Sequence, residues 1–161
     1  LWSRGLGDVY KRQRYGSTAV QDAAYMVCVP NFCPDVSPLK VNPAFFYLMD
    51  QFQRPCPFRP DVAVAVDDIM DVKWSLLDAM PSQVYEWLPW IEGRLSERPA
   101  ARAEWRAWLE AYWTPLFAGC TQAWGHALGE QAAGVRFAEF FELCEYGRQP
   151  SREELRAMFP A

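Results

Sequence analysis

The chain has 161 residues, 51% of them hydrophobic, 16% aromatic and 22% charged, with 16 basic against 20 acidic side chains and a net charge of −4. Such a length suits one ordinary domain, and so much apolar surface excludes a disordered or low-complexity chain. The acidic balance excludes the basic footprint of a nucleic-acid or anionic-membrane binder, and no apolar run approaches the ~20 residues of a membrane span.

Leu1 to Gln13 shows neither helical nor strand periodicity and carries Arg4, Lys11 and Arg12 against Asp8. Its stretch from Ser3 to Gln13 resembles the translated read-through of a sequencing adapter. Residues 1–13 are therefore expected to be foreign to the fold, with the native sequence, residues 14–161, entered mid-gene at Arg14. The competing expectation is a genuine small structural protein in which residues 1–13 are native.

Tyr15 to Val29 reads as a helix, capped by Ser17 or Thr18 and carrying a small-residue face of Ala19, Val20, Ala23, Ala24 and Val27. Pro30 stops it. Residues 30–60 hold 7 of the 13 prolines, a density that forbids a continuous helix and leaves Ala44 to Met49 as a strand candidate. Asp61 to Val66 is a second, near-continuous apolar run. A strand without polar alternation is expected to be buried on both faces, in a parallel-type sheet within an α/β layer structure. Asp67 and Asp68 then open a helix with Ile69, Val72, Leu76, Leu77 and Met80 at helical spacing, which Pro81 ends. A short aromatic segment, Val84 to Trp90, follows. The rest reads as mostly helical: Ser96 to Trp113, about Pro115 to Leu128, and Val135 to Glu145 with Gly147 as its cap. Ser151 with Glu154 then makes a capping box.

Few residues offer chemistry. His126 is the only histidine; it lacks partners at zinc-ligand spacing and reads as a surface or half-buried side chain. Asp67, Asp68 and Asp71 read as helix-start acids rather than cation ligands. The five cysteines, Cys28, Cys33, Cys56, Cys120 and Cys144, are odd in number and form no Cys-x-x-Cys pair. They are expected to be reduced core thiols of a cytoplasmic protein. Ser82 lacks a nucleophile-elbow context, and no glycine-rich phosphate loop exists. Seven of the eight tryptophans fall between Trp74 and Trp124. They suit core packing of a helical layer or, alternatively, a carbohydrate-binding cleft. Tyr85, Trp87 and Trp90 are the candidate substrate-binding residues, because their spacing and Pro89 set them off one helix face.

Several stretches together resemble one family. They are Arg14-Tyr15-Gly16 and Val20 to Tyr25; Val29-Pro30-Asn31 with Cys33-Pro34-Asp35; Pro57 to Asp61; Val66-Asp67-Asp68 with Lys73; Ser82-Gln83-x-Tyr85-Glu86-Trp87-Leu88-Pro89-Trp90; and Cys144-Glu145-Tyr146-Gly147. In order and spacing they look like the C-terminal part of PIG-L/LmbE-like proteins, the zinc-dependent N-acetylglucosaminyl de-N-acetylase family. The segment from Ser82 to Trp90 is the sharpest.

The resemblance implies a Rossmann-like three-layer α/β domain, of which this chain is the C-terminal part. It implies hydrolysis of the N-acetyl group of an N-acetylglucosamine-type glycoconjugate, with a small-molecule or lipid-linked amino-sugar substrate. The family's zinc sits on an upstream Ala-His-Pro-Asp-Asp-Glu motif and a later His-Pro-Asp-His motif, with an aspartate as general base on zinc-bound water. In relatives the second motif immediately precedes the stretch matching Arg14-Tyr15; here Lys11-Arg12-Gln13 stand there. Met80 also departs, standing where a histidine often precedes the Ser-Gln pair. The resemblance therefore places zinc in the full-length protein, with no metal or catalytic residue in this chain and the fragment inactive alone. Such a fragment is expected to associate with itself through an exposed strand edge as a homo-oligomer. The alternative is a non-catalytic carbohydrate-binding or interaction module built on the tryptophan-rich helices.

Overall fold

The computed structural model describes residues 14–51, 53–54 and 56–159. Residues 1–13, expected to be foreign to the fold, lie outside them. The described chain is mixed α/β. Its elements run α1 (Arg14–Met26), β1 (Ala44–Leu48), β2 (Val62–Ala65), a 3-10 turn (Asp67–Ile69) leading into α2 (Met70–Asp78), a π-helix (Ser82–Trp87) leading into α3 (Leu88–Ile91), two 3-10 turns (Leu95–Glu97 and Arg102–Glu104), α4 (Trp105–Trp124), a 3-10 stretch (Gly125–Ala132), β3 (Ala138–Gly147) and α5 (Arg152–Met158). No helix among the described residues is long and apolar enough to cross a membrane.

The three strands form one sheet in the order β1-β3-β2, and they are antiparallel. Ala44 lies opposite Gly147 and Leu48 opposite Phe141. The parallel-type arrangement expected from the Val62–Val66 run does not form. That run is also not covered on both faces: Val62 is buried, Ala63 and Val64 are half-buried and Ala65 is exposed. Small side chains at the margin of a three-stranded sheet leave little to bury.

β3 corrects a second expectation, a helix over Val135 to Glu145. In the strand, Ala138, Phe140 and Cys144 turn inward at a period of two, and all are at most 9% exposed. Phe141 and Leu143 on the opposite face are also apolar, so the alternation that marks a strand is blurred in the sequence. Gly147 ends β3 with φ +83°, a left-handed conformation that L side chains seldom adopt. A Cβ there would lie 2.5 Å from the Phe45 ring and 2.6 Å from the Pro43 carbonyl. β1 and β3 can therefore meet at this end only through a glycine.

The chain divides into two compact units. One comprises the described residues up to Val62 with those from Phe140 onward; the other is Ala63–Glu139. In the first, α1 starts at Arg14, so Ser17 and Thr18 lie inside it rather than capping it, and it ends at Met26, three residues short of the expected Val29. Its small-residue face is only partly used, with Ala24 buried while Ala19 and Val20 are exposed. Asn42 Nδ2 donates to the Ala24 carbonyl at 2.6 Å, tying the proline-rich loop to the helix. The expected capping box is present at α5, with Ser151 Oγ accepting from Glu154 N–H and Glu154 accepting from Ser151 N–H. Phe159 then packs edge-on against Phe46, ring centroids 5.2 Å apart.

The second unit is built on α4. Leu109, Trp113, Phe117 and Thr121 recur every four residues and make its buried stripe. The helices expected over 96–113 and 115–128 are thus one helix with shifted ends. Pro115 lies inside it; the carbonyl it leaves without a donor belongs to Ala111, an exposed residue. α2 offers Met70, Trp74 and Leu77 in return, and Trp74 meets Phe117 at 5.3 Å. Lys73 lays its ammonium 4.4 Å from the Phe117 ring centre and pairs with Glu139 at 2.7 Å, which closes the end of this apolar contact.

Candidate functional site

The segment that carries the sharpest resemblance is a π-helical turn passing into α3, and its sequence accounts for its shape. Pro89 has no N–H to return to the carbonyl of Tyr85, four residues earlier. Arg98 Nη1 donates to that carbonyl instead, at 2.9 Å. The turn carries Val84, Tyr85, Leu88 and Pro89 into the interior while Trp87 stays half-buried and Trp90 is 65% exposed. Of the three candidate substrate-binding residues, the fold therefore separates Tyr85 from Trp90.

Tyr85 is fully buried, and its hydroxyl donates to Asp78 Oδ1 at 2.5 Å. Arg102 pairs with the same oxygen at 3.0 Å. Trp105 packs against the Tyr85 ring at 5.0 Å, and Arg98 and Arg102 lie over the Trp105 ring at 4.3 and 4.9 Å. Burial, then the adjacent Asp78 carboxylate, push the Tyr85 phenol well above its ordinary range. The phenol's hydrogen bond, aided by Arg102 and opposed by desolvation, holds Asp78 below the usual carboxylate range. The Tyr85 hydroxyl is thus spent on Asp78, and the cluster locks the turn against α4. Tyr112 repeats the device beside it, stacked on Trp108 and bonded to Glu92 under the Arg94 guanidinium.

A second polar cluster lies in the other unit and was not singled out as a site in the sequence. Gln21 Nε2 donates to the Tyr47 hydroxyl at 3.0 Å, and that hydroxyl donates to Glu145 Oε2 at 2.9 Å. The buried Cys144 thiol donates to the same oxygen at 3.7 Å. Glu145 is held below the usual carboxylate range first by a backbone N–H and then by Tyr47. Tyr47 is pushed upward by burial and by its bonds to Cys144 and Glu145. The arrangement keeps an exposed carboxylate ionised beside a phenol. Its residues come from α1, β1 and β3, so no local spacing announces them; only the string from Cys144 to Gly147 marks one end.

Among the described residues no three His, Cys, Asp or Glu side chains converge to hold a metal. His126 is exposed, as are Asp67, Asp68 and Asp71. Asp67 accepts from the backbone N–H groups of Arg136 and Phe137 at 3.2 and 3.3 Å, which ties the start of α2 to the approach to β3. No disulfide joins the cysteines among the described residues, but only Cys120 and Cys144 are core thiols; Cys28 is half-buried and Cys33 and Cys56 are exposed. The proline-rich loops that hold them offer no apolar layer to cover them. Ser82 is exposed at the start of the π-helix.

Comparison with protein-family models, with curated proteins and with solved structures finds no match to this chain.

Proposed function

We propose that this chain is the C-terminal part of a zinc-dependent deacetylase that hydrolyses the N-acetyl group of an N-acetylglucosamine-type glycoconjugate. The observation that carries the reading is the segment Ser82 to Trp90, standing in order among the other stretches shared with PIG-L/LmbE-like proteins. The structure supports treating that segment as a specified unit, since Tyr85, Pro89 and their partners Asp78 and Arg98 each have a definite part in one turn. The described residues do not fit a zinc site, so no step through the metal belongs to them. Their share is positional: Trp90 presents an exposed ring for the apolar face of a sugar, and the Tyr85–Asp78–Arg102 cluster fixes the turn that bears it.

The complete gene product is expected to contain zinc and to release acetate from an N-acetylglucosaminide, with release lost on chelation and restored by zinc. A metal-free product that binds sugar without releasing acetate would overturn the reading in favour of a carbohydrate-binding module. The structure gives that second reading a narrow base. Among the tryptophans of the described residues only Trp90 is exposed, the others being buried or half-buried.

A further inference from the structure

Where α4 ends, the chain turns through the 3-10 stretch Gly125–Ala132 and a kink at Gly129, whose φ is +59°. The turn leaves an open cleft of about 350 Å³ lined by Ala118, Thr121, Leu128, Val135, Gln122 and Arg136, among others. This lies at the lower end of the volumes that hold small organic ligands. Its walls are mostly apolar. The one buried polar side chain there, Thr121, is already satisfied, donating to the Phe117 carbonyl and accepting from Ala138 N–H.

Arg136 supplies the only formal charge on the lining. Its guanidinium lies over the Phe137 ring at 4.9 Å, and among the described residues no carboxylate pairs with it. Asp67 spends its oxygens on the backbone N–H groups of Arg136 and Phe137, and Glu139, three residues on from Arg136, pairs with Lys73. An apolar recess beside an unpaired, forked cation matches an amphipathic anion: an apolar body for the recess and a carboxylate for the fork.

We infer that this cleft binds a small apolar carboxylate of about ten non-hydrogen atoms, a size set by the volume each atom needs. The inference stands apart from the deacetylase reading and uses none of its residues. Octanoate is the probe and octanol its uncharged counterpart, both titrated into the full chain by calorimetry. A ligand of this size in an open cleft is expected to bind with a Kd of about 1 mM. Octanoate is expected to bind roughly fivefold tighter than octanol, because a hydrogen-bonded charge contributes beyond apolar burial. The preference should fall as salt is raised.

Arg136→Met should abolish the preference, Arg136→Lys should keep part of it, and Ala132→Trp, at an exposed wall position, should weaken both ligands by filling the recess. Near-ultraviolet circular dichroism identical to the parent chain is the condition for reading each variant. Equal binding of octanoate and octanol, binding indifferent to Arg136→Met and Ala132→Trp, or no saturable binding by about 10 mM would each overturn the inference. None of these outcomes touches acetate release, so the two proposals fail separately.

Discussion

Tyr85 shows how a residue can belong to a recognisable motif without being free to meet a substrate. Its ring is sealed by Trp105 and its hydroxyl is held by Asp78. Removing that hydroxyl leaves Asp78 with Arg102 alone, so Tyr85→Phe is expected to cost about 1 kcal/mol of stability, read from urea unfolding near neutral pH. The pH dependence has a definite sign. Asp78 has a folded-state pKa below its unfolded value, so its contribution is present above the ordinary carboxylate range. It is lost as pH falls through the depressed folded value, and the gap between parent and Tyr85→Phe should close in acid. A gap that widens in acid would contradict the assignment. Trp90, by contrast, is 65% exposed. Trp90→Ala is expected to leave stability within about 0.5 kcal/mol while raising KM in the proposed complete deacetylase; an unchanged KM would remove Trp90 from the proposed substrate surface. The sequence could set Tyr85, Trp87 and Trp90 apart because Pro89 breaks the helical pattern. It could not say which ring turns inward, because that depends on Arg98 and Trp105, which arrive from beyond the turn.

At the scale of elements, α1, β1, β2, α2 and the α5 capping box are legible as elements because each carries its own local signal, such as an apolar run after prolines or a Ser-x-x-Glu pair. The buried face is not: α2 buries Met70, Trp74 and Leu77 and leaves Val72 and Leu76 of the expected stripe exposed. β3 is not legible as a strand. Apolar side chains on both of its faces hide the period of two, and its Phe137, Phe141 and Cys144 also fit a helical spacing. α4 was divided at Pro115 in the sequence, although packing of Leu109, Trp113 and Phe117 outweighs one missing hydrogen bond. The Tyr47–Glu145 cluster was invisible for the same physical reason as β3, since it exists only once distant strands pair. β2 leaves one edge without a strand partner among the described residues, and its sequence is Val-Ala-Val-Ala with Ala65 exposed. Just after it, Ile69 in the 3-10 turn and Val72 and Leu76 on α2 are 55%, 59% and 62% exposed. An unpaired apolar edge is a template for association. Sedimentation velocity is expected to show concentration-dependent association that Ala65→Lys suppresses, because a lysine on the edge opposes pairing. A parent chain that stays monomeric at every concentration would refute this.

At the scale of the whole molecule, the chemistry attributed to the complete protein and the residues described here are complementary. The chain offers a fixed aromatic turn, an exposed tryptophan and an ionised carboxylate beside a phenol. It offers no triad of metal donors among the described residues. A deacetylase of the PIG-L/LmbE kind needs those donors, and the resemblance places them upstream of Arg14. The most direct test is to read the source DNA upstream of the Arg14 codon. The account predicts His-Pro-Asp-His immediately before Arg14, with Ala-His-Pro-Asp-Asp-Glu further upstream. Residues 1–13 encoded there behind a start codon would contradict it and leave the chain without the catalytic half that the proposal requires.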